Sequence, residues 1–129
     1  MERKEINPWT WQDELHYVQA VDVKNPKSTL YISGQPAIDA NGISSTADFR
    51  SQLQLSIANI NKVIAEAEYK SSDITRLTVY TTSLDELGQN FDIFQEWITT
   101  NNMRIAVTVV EVSKLFETTV VELEAIAAK

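Results

Sequence analysis

The run that most constrains this chain is its C-terminal segment, Val120-Val121-Glu122-Leu123-Glu124-Ala125-Ile126-Ala127. β-Branched and aliphatic residues dominate it, so it reads as a strand. Alternation puts Val121, Leu123 and Ala125 on one face and Val120, Glu122, Glu124 and Ile126 on the other. Two carboxylates roughly 6 to 7 Å apart therefore share a face with two large aliphatics. A solvated face would more often carry Lys, Thr or Ser than Val and Ile. Two readings follow: an ordinary half-exposed strand, or a carboxylate at the rim of a pocket or subunit interface, placed for acid/base work.

Composition narrows the classes. With 129 residues, 43% of them hydrophobic and 22% charged, residues 1–129 form one domain with one core. No apolar run approaches the ~18 residues of a membrane helix, and Met1-Glu2-Arg3-Lys4-Glu5 has no signal-peptide character. No membrane association and a cytoplasmic location are expected. The chain has no cysteine and one histidine, His16, so thiolate and His-cluster metal sites are excluded, as is a disulfide framework. The net charge of −7 with no basic stripe disfavours a nucleic-acid partner.

Residues 1–15 form an N-terminal segment whose Trp9 and Trp11 are expected to bury against this subunit or a neighbour. His16 is expected to satisfy a local hydrogen bond. Tyr17–Val23 alternates as a first strand, Lys24-Asn25-Pro26-Lys27-Ser28 turns, and Thr29–Ser33 returns as the second arm of a hairpin. Gly34 then marks a bulge or the close approach of a ligand or another backbone. Pro36-Ala37-Ile38 reads as a short edge strand ended by Asn41-Gly42. Leu53, Ile57, Ile60, Ile64 and Ala67 lie on one face of a helix capped by Ser45 or Thr46, with Asp48 in its first turn. Ile74–Thr82 is a strand that buries Leu77 and Val79. Ser83-Leu84-Asp85-Glu86 is a capping box, opening a helix that buries Leu87, Phe91, Phe94 and Ile98. Arg104–Val112 is the next strand.

Two amphipathic helices cover only one face of a sheet of five or six strands. The strands carry many Val, Ile and Leu on both faces, so the uncovered face predicts an oligomer whose sheets pack against one another.

Tyr17-Val18-Gln19-Ala20-Val21, Ser33-Gly34-Gln35 and Glu122-Leu123-Glu124-Ala125-Ile126-Ala127 together resemble the three signature segments of the RidA (YjgF) family. The resemblance spans about Tyr17 to Ala127, with helices and strands in the family's order. It implies an α+β, chorismate-mutase-like fold and a homotrimer with small-molecule ligand sites in the clefts between subunits. It also implies hydrolysis of 2-imino or enamino acids without metal or cofactor. On that resemblance Glu122 positions the attacking water, Tyr17 lines the pocket, and the backbone at Ser33 and Gly34 lines it too. An imine carbon is already electrophilic, so a water held by a carboxylate supplies most of what the reaction needs.

The next-to-last strand departs from the family pattern. Active members carry an arginine fifteen residues before the glutamate, which clamps the substrate carboxylate. Counting back from Glu122 with Val110-Glu111-Val112 in register puts Val107 there. Arg104 is three residues away, on the opposite face and about 10 Å along the strand. Val107, Tyr17 and Ile105 or Val109 are then expected to form apolar walls, with Glu122 the main polar group. Two functions of different class are open: a trimeric binder of a small metabolite in which imine deaminase activity is lost, or a deaminase of altered specificity using Glu122. An RNA-cleaving activity sometimes attributed to relatives fits poorly with the acidic charge.

Overall fold

The computed structural model describes Met1–Lys129. Nine regular elements follow one another: β1 (Glu2–Ile6), β2 (Ala20–Lys24), β3 (Thr29–Pro36), α1 (Phe49–Glu66), β4 (Ile74–Thr81), α2 (Leu84–Gln89), α3 (Phe91–Thr100), β5 (Ala106–Glu111) and β6 (Val121–Ala128). The strands form a four-stranded mixed sheet in the order β3-β6-β4-β5 and a separate two-stranded ribbon, β1-β2. In the mixed sheet only the β4–β5 pair is parallel. No helix is long and apolar enough to cross a membrane.

The C-terminal run lies in the middle of the sheet, hydrogen-bonded to β3 on one side and β4 on the other. Val121, Leu123 and Ala125 are buried, as their alternation requires, and so are Leu77 and Val79 on β4. α1 lays Leu53, Ile57, Ile60 and Ile64 on this face, while α2 and α3 contribute Leu87, Phe94, Trp97 and Ile98. The helices cover one side only.

Five features depart from the sequence expectation. The mixed sheet has four strands, not five or six, because the first strand leaves it for the ribbon. The first strand does not pair with β3: it starts at Ala20 and takes β1 as its partner, through Glu2↔Lys24 to Ile6↔Ala20. β1 was missed because Glu-Arg-Lys-Glu carries no apolar alternation, and a strand held on a ribbon does not need any. Pro36–Ile38 is not a separate edge strand; β3 runs on through Pro36, and Ile38 then bridges to Ser44. α1 is capped by Asp48, whose carboxylate accepts from the Ser51 N–H, and not by Ser45 or Thr46. The helix after Ser83 is two helices. Ser83 caps α2 by accepting from the Glu86 N–H, but Asn90 breaks the path at φ −116°, ψ 16° and donates its side-chain amide back to the Glu86 carbonyl.

Arg3 fastens the ribbon to the sheet. Its guanidinium donates to the carbonyls of Ser72 (2.7 Å), Ile74 (2.8 Å) and Arg104, at the ends of β4 and β5. Asn7 and Gln12 hold the following loop: Asn7 Oδ1 accepts from the Gln19 N–H and from Gln12 Nε2, and Gln12 Oε1 accepts from Gln19 Nε2. This polar knot buries Gln12 and leaves Trp9 and Trp11 57% and 61% exposed, so neither tryptophan is buried within its own chain. The His16 imidazole makes no hydrogen bond; the residue serves through its backbone, closing a 3₁₀ turn at φ 65°.

Gln52 is the buried polar hinge between α1 and the start of β6. Its amide donates to the carbonyls of Ser45, Ala47 and Thr118, and its Oε1 accepts from the Val120 N–H at 2.9 Å. Replacing it with leucine removes the partner of these part-buried groups, at about 1 to 3 kcal/mol for each that water does not reach. Gln52→Leu is therefore expected to lower unfolding free energy by about 2 to 4 kcal/mol, read as a lower urea midpoint at unchanged slope. An unchanged midpoint would show that the network contributes nothing.

Candidate functional site

The sheet's uncovered face carries Arg76, Thr78 and Tyr80 from β4, Thr108 from β5, and Glu122, Glu124 and Ile126 from β6. It is more polar than the aliphatic content of the strands suggested. Side-chain contacts across this face confirm the shared orientation: Tyr80 Oη donates to Glu124 Oε1 at 2.7 Å, and Arg76 Nη2 donates to Thr108 Oγ1 at 2.6 Å.

Glu122 occupies a particular corner of that face. It sits opposite Tyr80 on β4 and Pro36 on β3. β3 carries an extra residue between Ile32 and Gln35, so Ser33 and Gly34 form a bulge beside it. A β-carbon at position 34 would lie 2.8 Å from Glu122 Cδ and closer still to Oε1. The glycine is there because the carboxylate lies over it. Close approach to a glycine in a strand was legible in the sequence; that the approaching group is the chain's own glutamate was not.

The two carboxylates of β6 stand in different surroundings. Glu124 accepts the Tyr80 hydroxyl, which raises the phenol's pKa above its ordinary value, with burial adding to the effect. Glu122 has no hydrogen-bond partner in the chain. Partial burial pushes its pKa above the usual carboxylate value, and the charge on Glu124 pushes the same way. A carboxylate with raised proton affinity and free lone pairs is suited to hold or deprotonate a water.

The other residues singled out in the sequence fall elsewhere. Tyr17 packs edge-on against Trp11, with ring centroids 6.4 Å apart. The Val18 N–H donates to the Ile105 carbonyl, and Val18 bridges to Ala106, so this segment lies outside β5. Val107 and Val109 stand beside the buried Leu77 and Val79 and so face the helix layer, opposite to Glu122. Val107 is half-buried against the core, Val109 is 37% exposed, and Ile105 is wholly buried. Arg104 turns away from Glu122 and pairs with Glu5 of β1, Nε to Oε1 at 3.5 Å.

These residues therefore make two groups on opposite edges of the sheet. Ser33, Gly34 and Glu122 lie at the β3 edge; Tyr17, Val107 and Val109 lie at the β5 edge. Three strand spacings and about five residues along the strand separate Tyr17 from Glu122, about 20 Å. One chain does not bring them together. Sequence reasoning passed over Arg76 and Tyr80, although Arg76-Leu77-Thr78-Val79-Tyr80 shows the alternation that exposes them.

Two hollows flank the Glu122 corner. One, of about 770 Å³, lies between β3 and α1 and is lined by Gly34, Gln35, Pro36, Asn59 and Lys62 among others. The second, of about 370 Å³, lies on the open face and includes Ser33, Arg76, Thr78 and Glu124. No group of three or more His, Asp or Glu side chains is placed to hold a metal ion.

The sequence model of the family described as Endoribonuclease L-PSP matches residues 11–129. The chain belongs to the RidA/YjgF family. It is 31% identical to a RutC family protein of Pyrococcus abyssi over 88% of this chain and 86% of that protein. It is 29% identical to the 2-iminobutanoate/2-iminopropanoate deaminase of Escherichia coli K12 over 88% of this chain and 87% of the other. A conserved Rid family protein of unknown function from Yersinia pestis, YyfB, superposes with a TM-score of 0.86 at 27% identity, covering 100% of both chains. The structure of Escherichia coli TdcF with bound serine superposes with a TM-score of 0.73 at 27% identity, over 88% of this chain and 87% of that one. The family match begins at residue 11, so β1 lies before it, whereas the superposition on the Yersinia protein includes β1.

Proposed function

We propose that this RidA-family protein is a homotrimer that binds a small metabolite in the clefts between its copies, with ordinary 2-imino acid deamination suppressed by Val107. The observation that carries the reading is the separation of the two residue groups. Tyr17, Val107 and Val109 at the β5 edge and Ser33, Gly34 and Glu122 at the β3 edge are half-sites that need a second copy. A heterologous contact that sets one edge against the other and closes after three copies gives three equivalent clefts. The exposure of Trp9, and of Trp11 beside Tyr17, supports the reading, since a neighbouring copy would cover them.

In such a cleft Glu122 is the main polar group, over Gly34 and with its proton affinity raised. Valine replaces the arginine that clamps a substrate carboxylate in active members. Loss of a guanidinium from a desolvated pair costs on the order of 3 to 5 kcal/mol, so ordinary imino-acid turnover is expected to fall steeply. The second reading is a deaminase of altered specificity that uses Glu122 to position water on a substrate without a carboxylate. The unpartnered, partly buried Glu122 favours keeping it, as does the identity to an iminobutanoate deaminase.

Light scattering coupled to size exclusion at micromolar concentration tests the assembly. Three chain masses are expected, and a monomer mass sinks the cleft site. Hydrolysis of 2-iminopropionate, generated in the cuvette by an amino-acid oxidase, separates the two functional readings.

A further inference from the structure

Neither of the two half-sites contains a cation. The segment beside Tyr17 is aromatic and acidic: between Glu5 and Val23 the chain holds Trp9, Trp11, Asp13, Glu14 and Asp22 but no lysine or arginine. The arginines next to this edge are engaged elsewhere. Arg104 pairs with Glu5, Arg3 donates to three carbonyls, and Arg76 is turned to Thr108 on the open face. At the other edge Ser33 and Gly34 are neutral. Lys62 lies on the helix side of β3, in the hollow against α1, whereas Glu122 stands on the open side without a partner.

The aromatic groups are held in place. Trp11 meets Tyr17 with the two ring planes at 73°, a corner and not a stack. Asn7, Gln12 and Gln19 knot the two ends of the tryptophan loop together, and Gln12 is fully buried. A fixed corner of rings is a preorganised surface for a flat apolar body. A positive charge near a ring face is attracted by the ring's quadrupole. The carboxylates around the loop raise the local concentration of cations and lower that of anions.

Resting on the inter-subunit cleft proposed above, we infer that its ligand is an aromatic amine or iminium: a cationic nitrogen on an apolar ring-bearing body, with no carboxylate. The nitrogen would donate to the neighbouring copy's Glu122, and the ring would lie against Trp11 and Tyr17. A carboxylate-bearing imino or amino acid would set its anion among carboxylates and ring faces, with no guanidinium to receive it. A small amine without a ring would leave the aromatic corner unfilled. The ligand class fixes both the charge at Glu122 and the body against the rings, and it requires no turnover.

The test uses the full-length protein in its solution assembly, with 2-phenylethylammonium as the probe. Two controls separate its features: 3-phenylpropionate keeps the ring and reverses the charge, and methylammonium keeps the charge without the ring. Calorimetry reads affinity, and tryptophan emission reads place. Trp97 is buried, with its indole N–H on Asn61 Oδ1 at 3.1 Å, so a saturable change in emission reports on Trp9 and Trp11. The probe is expected to bind at least about tenfold more tightly than either control. Trp11→Leu and, independently, Glu122→Gln should each weaken it about tenfold or more, with light scattering giving each variant the wild-type mass. If one variant fails to assemble, the other decides. A monomer mass for the wild type removes the cleft and the inference with it. A trimer mass with equal binding of 3-phenylpropionate overturns the inference alone and leaves the cleft standing. So does unchanged affinity in an assembled variant, or a trimer that binds no probe at tens of millimolar.

Discussion

Gly34→Ala is expected to displace the Glu122 carboxylate while leaving the fold intact. Gly34 is not in the left-handed backbone region, so alanine meets no conformational penalty there. What it meets is Glu122: the new methyl would stand 2.8 Å from Cδ and closer to Oε1. A side chain on a rim yields more readily than a strand does, so Glu122 should swing towards solvent. Stability should change by no more than about 1 to 2 kcal/mol. The titration should change more. In the wild type, burial and the Glu124 charge hold the Glu122 pKa above its ordinary value; with the carboxylate in water it should fall back. Carbon-detected NMR of the Glu122 carboxyl reads this directly and needs no ligand. The stability linkage has a definite sign. A carboxyl whose pKa is higher folded than unfolded favours the folded state when protonated. That contribution is present below the ordinary carboxylate range and disappears as pH rises through the raised folded value. Gly34→Ala should flatten this part of the stability profile. Any cleft function that relies on Glu122 should drop by two orders of magnitude or more. An unaltered Glu122 titration in Gly34→Ala would show that the close approach does not control the carboxylate.

The central elements were legible because their burial is one-sided. Val121, Leu123 and Ala125 alternate against two glutamates, and Leu53, Ile57, Ile60 and Ile64 repeat at helical spacing, so the sequence pattern alone assigns both faces. Gly34 was legible for a different reason, since a glycine in a strand run marks a bulge or a close approach. The pairing of β1 with β2 was not legible. Its Glu-Arg-Lys-Glu sequence carries no pattern, and what fixes it is long-range: Arg3 reaching carbonyls about seventy and a hundred residues away. The split at Asn90 was hidden because Leu87, Phe91, Phe94 and Ile98 keep helical spacing across the break. Trp9 and Trp11 were expected to bury against this subunit or a neighbour; the single chain leaves both exposed, so of the two only the neighbour remains, as in the proposed trimer. The site residues read along one sequence lie on two edges of the sheet, and only the proposed cleft between copies would bring them together.

The proposed departure at position 107 yields the strongest functional expectation. Val107 sits on the edge strand β5, half-buried, with its side chain towards the helix layer. An arginine there can lay its methylene stem along that apolar surface and carry its guanidinium out past the strand edge. The overpacking should cost about 1 to 3 kcal/mol, which the interfaces of the proposed trimer would offset. In the proposed cleft the guanidinium would face the neighbouring copy's Glu122, and a bound substrate carboxylate would complete the pairing. Wild type is therefore expected to hydrolyse 2-iminopropionate and 2-iminobutyrate poorly, and Val107→Arg to gain at least about tenfold in imine decay, followed by trapping. Adding Glu122→Gln to Val107→Arg should remove the gain, because a guanidinium that only binds substrate cannot activate water. The pair of variants separates binding from chemistry: Val107→Arg should act mainly through KM, and Glu122→Gln through kcat. A folded, trimeric Val107→Arg with no gain would count against equating Val107 with the family's arginine. Robust wild-type hydrolysis that survives Glu122→Gln would exclude the glutamate mechanism itself.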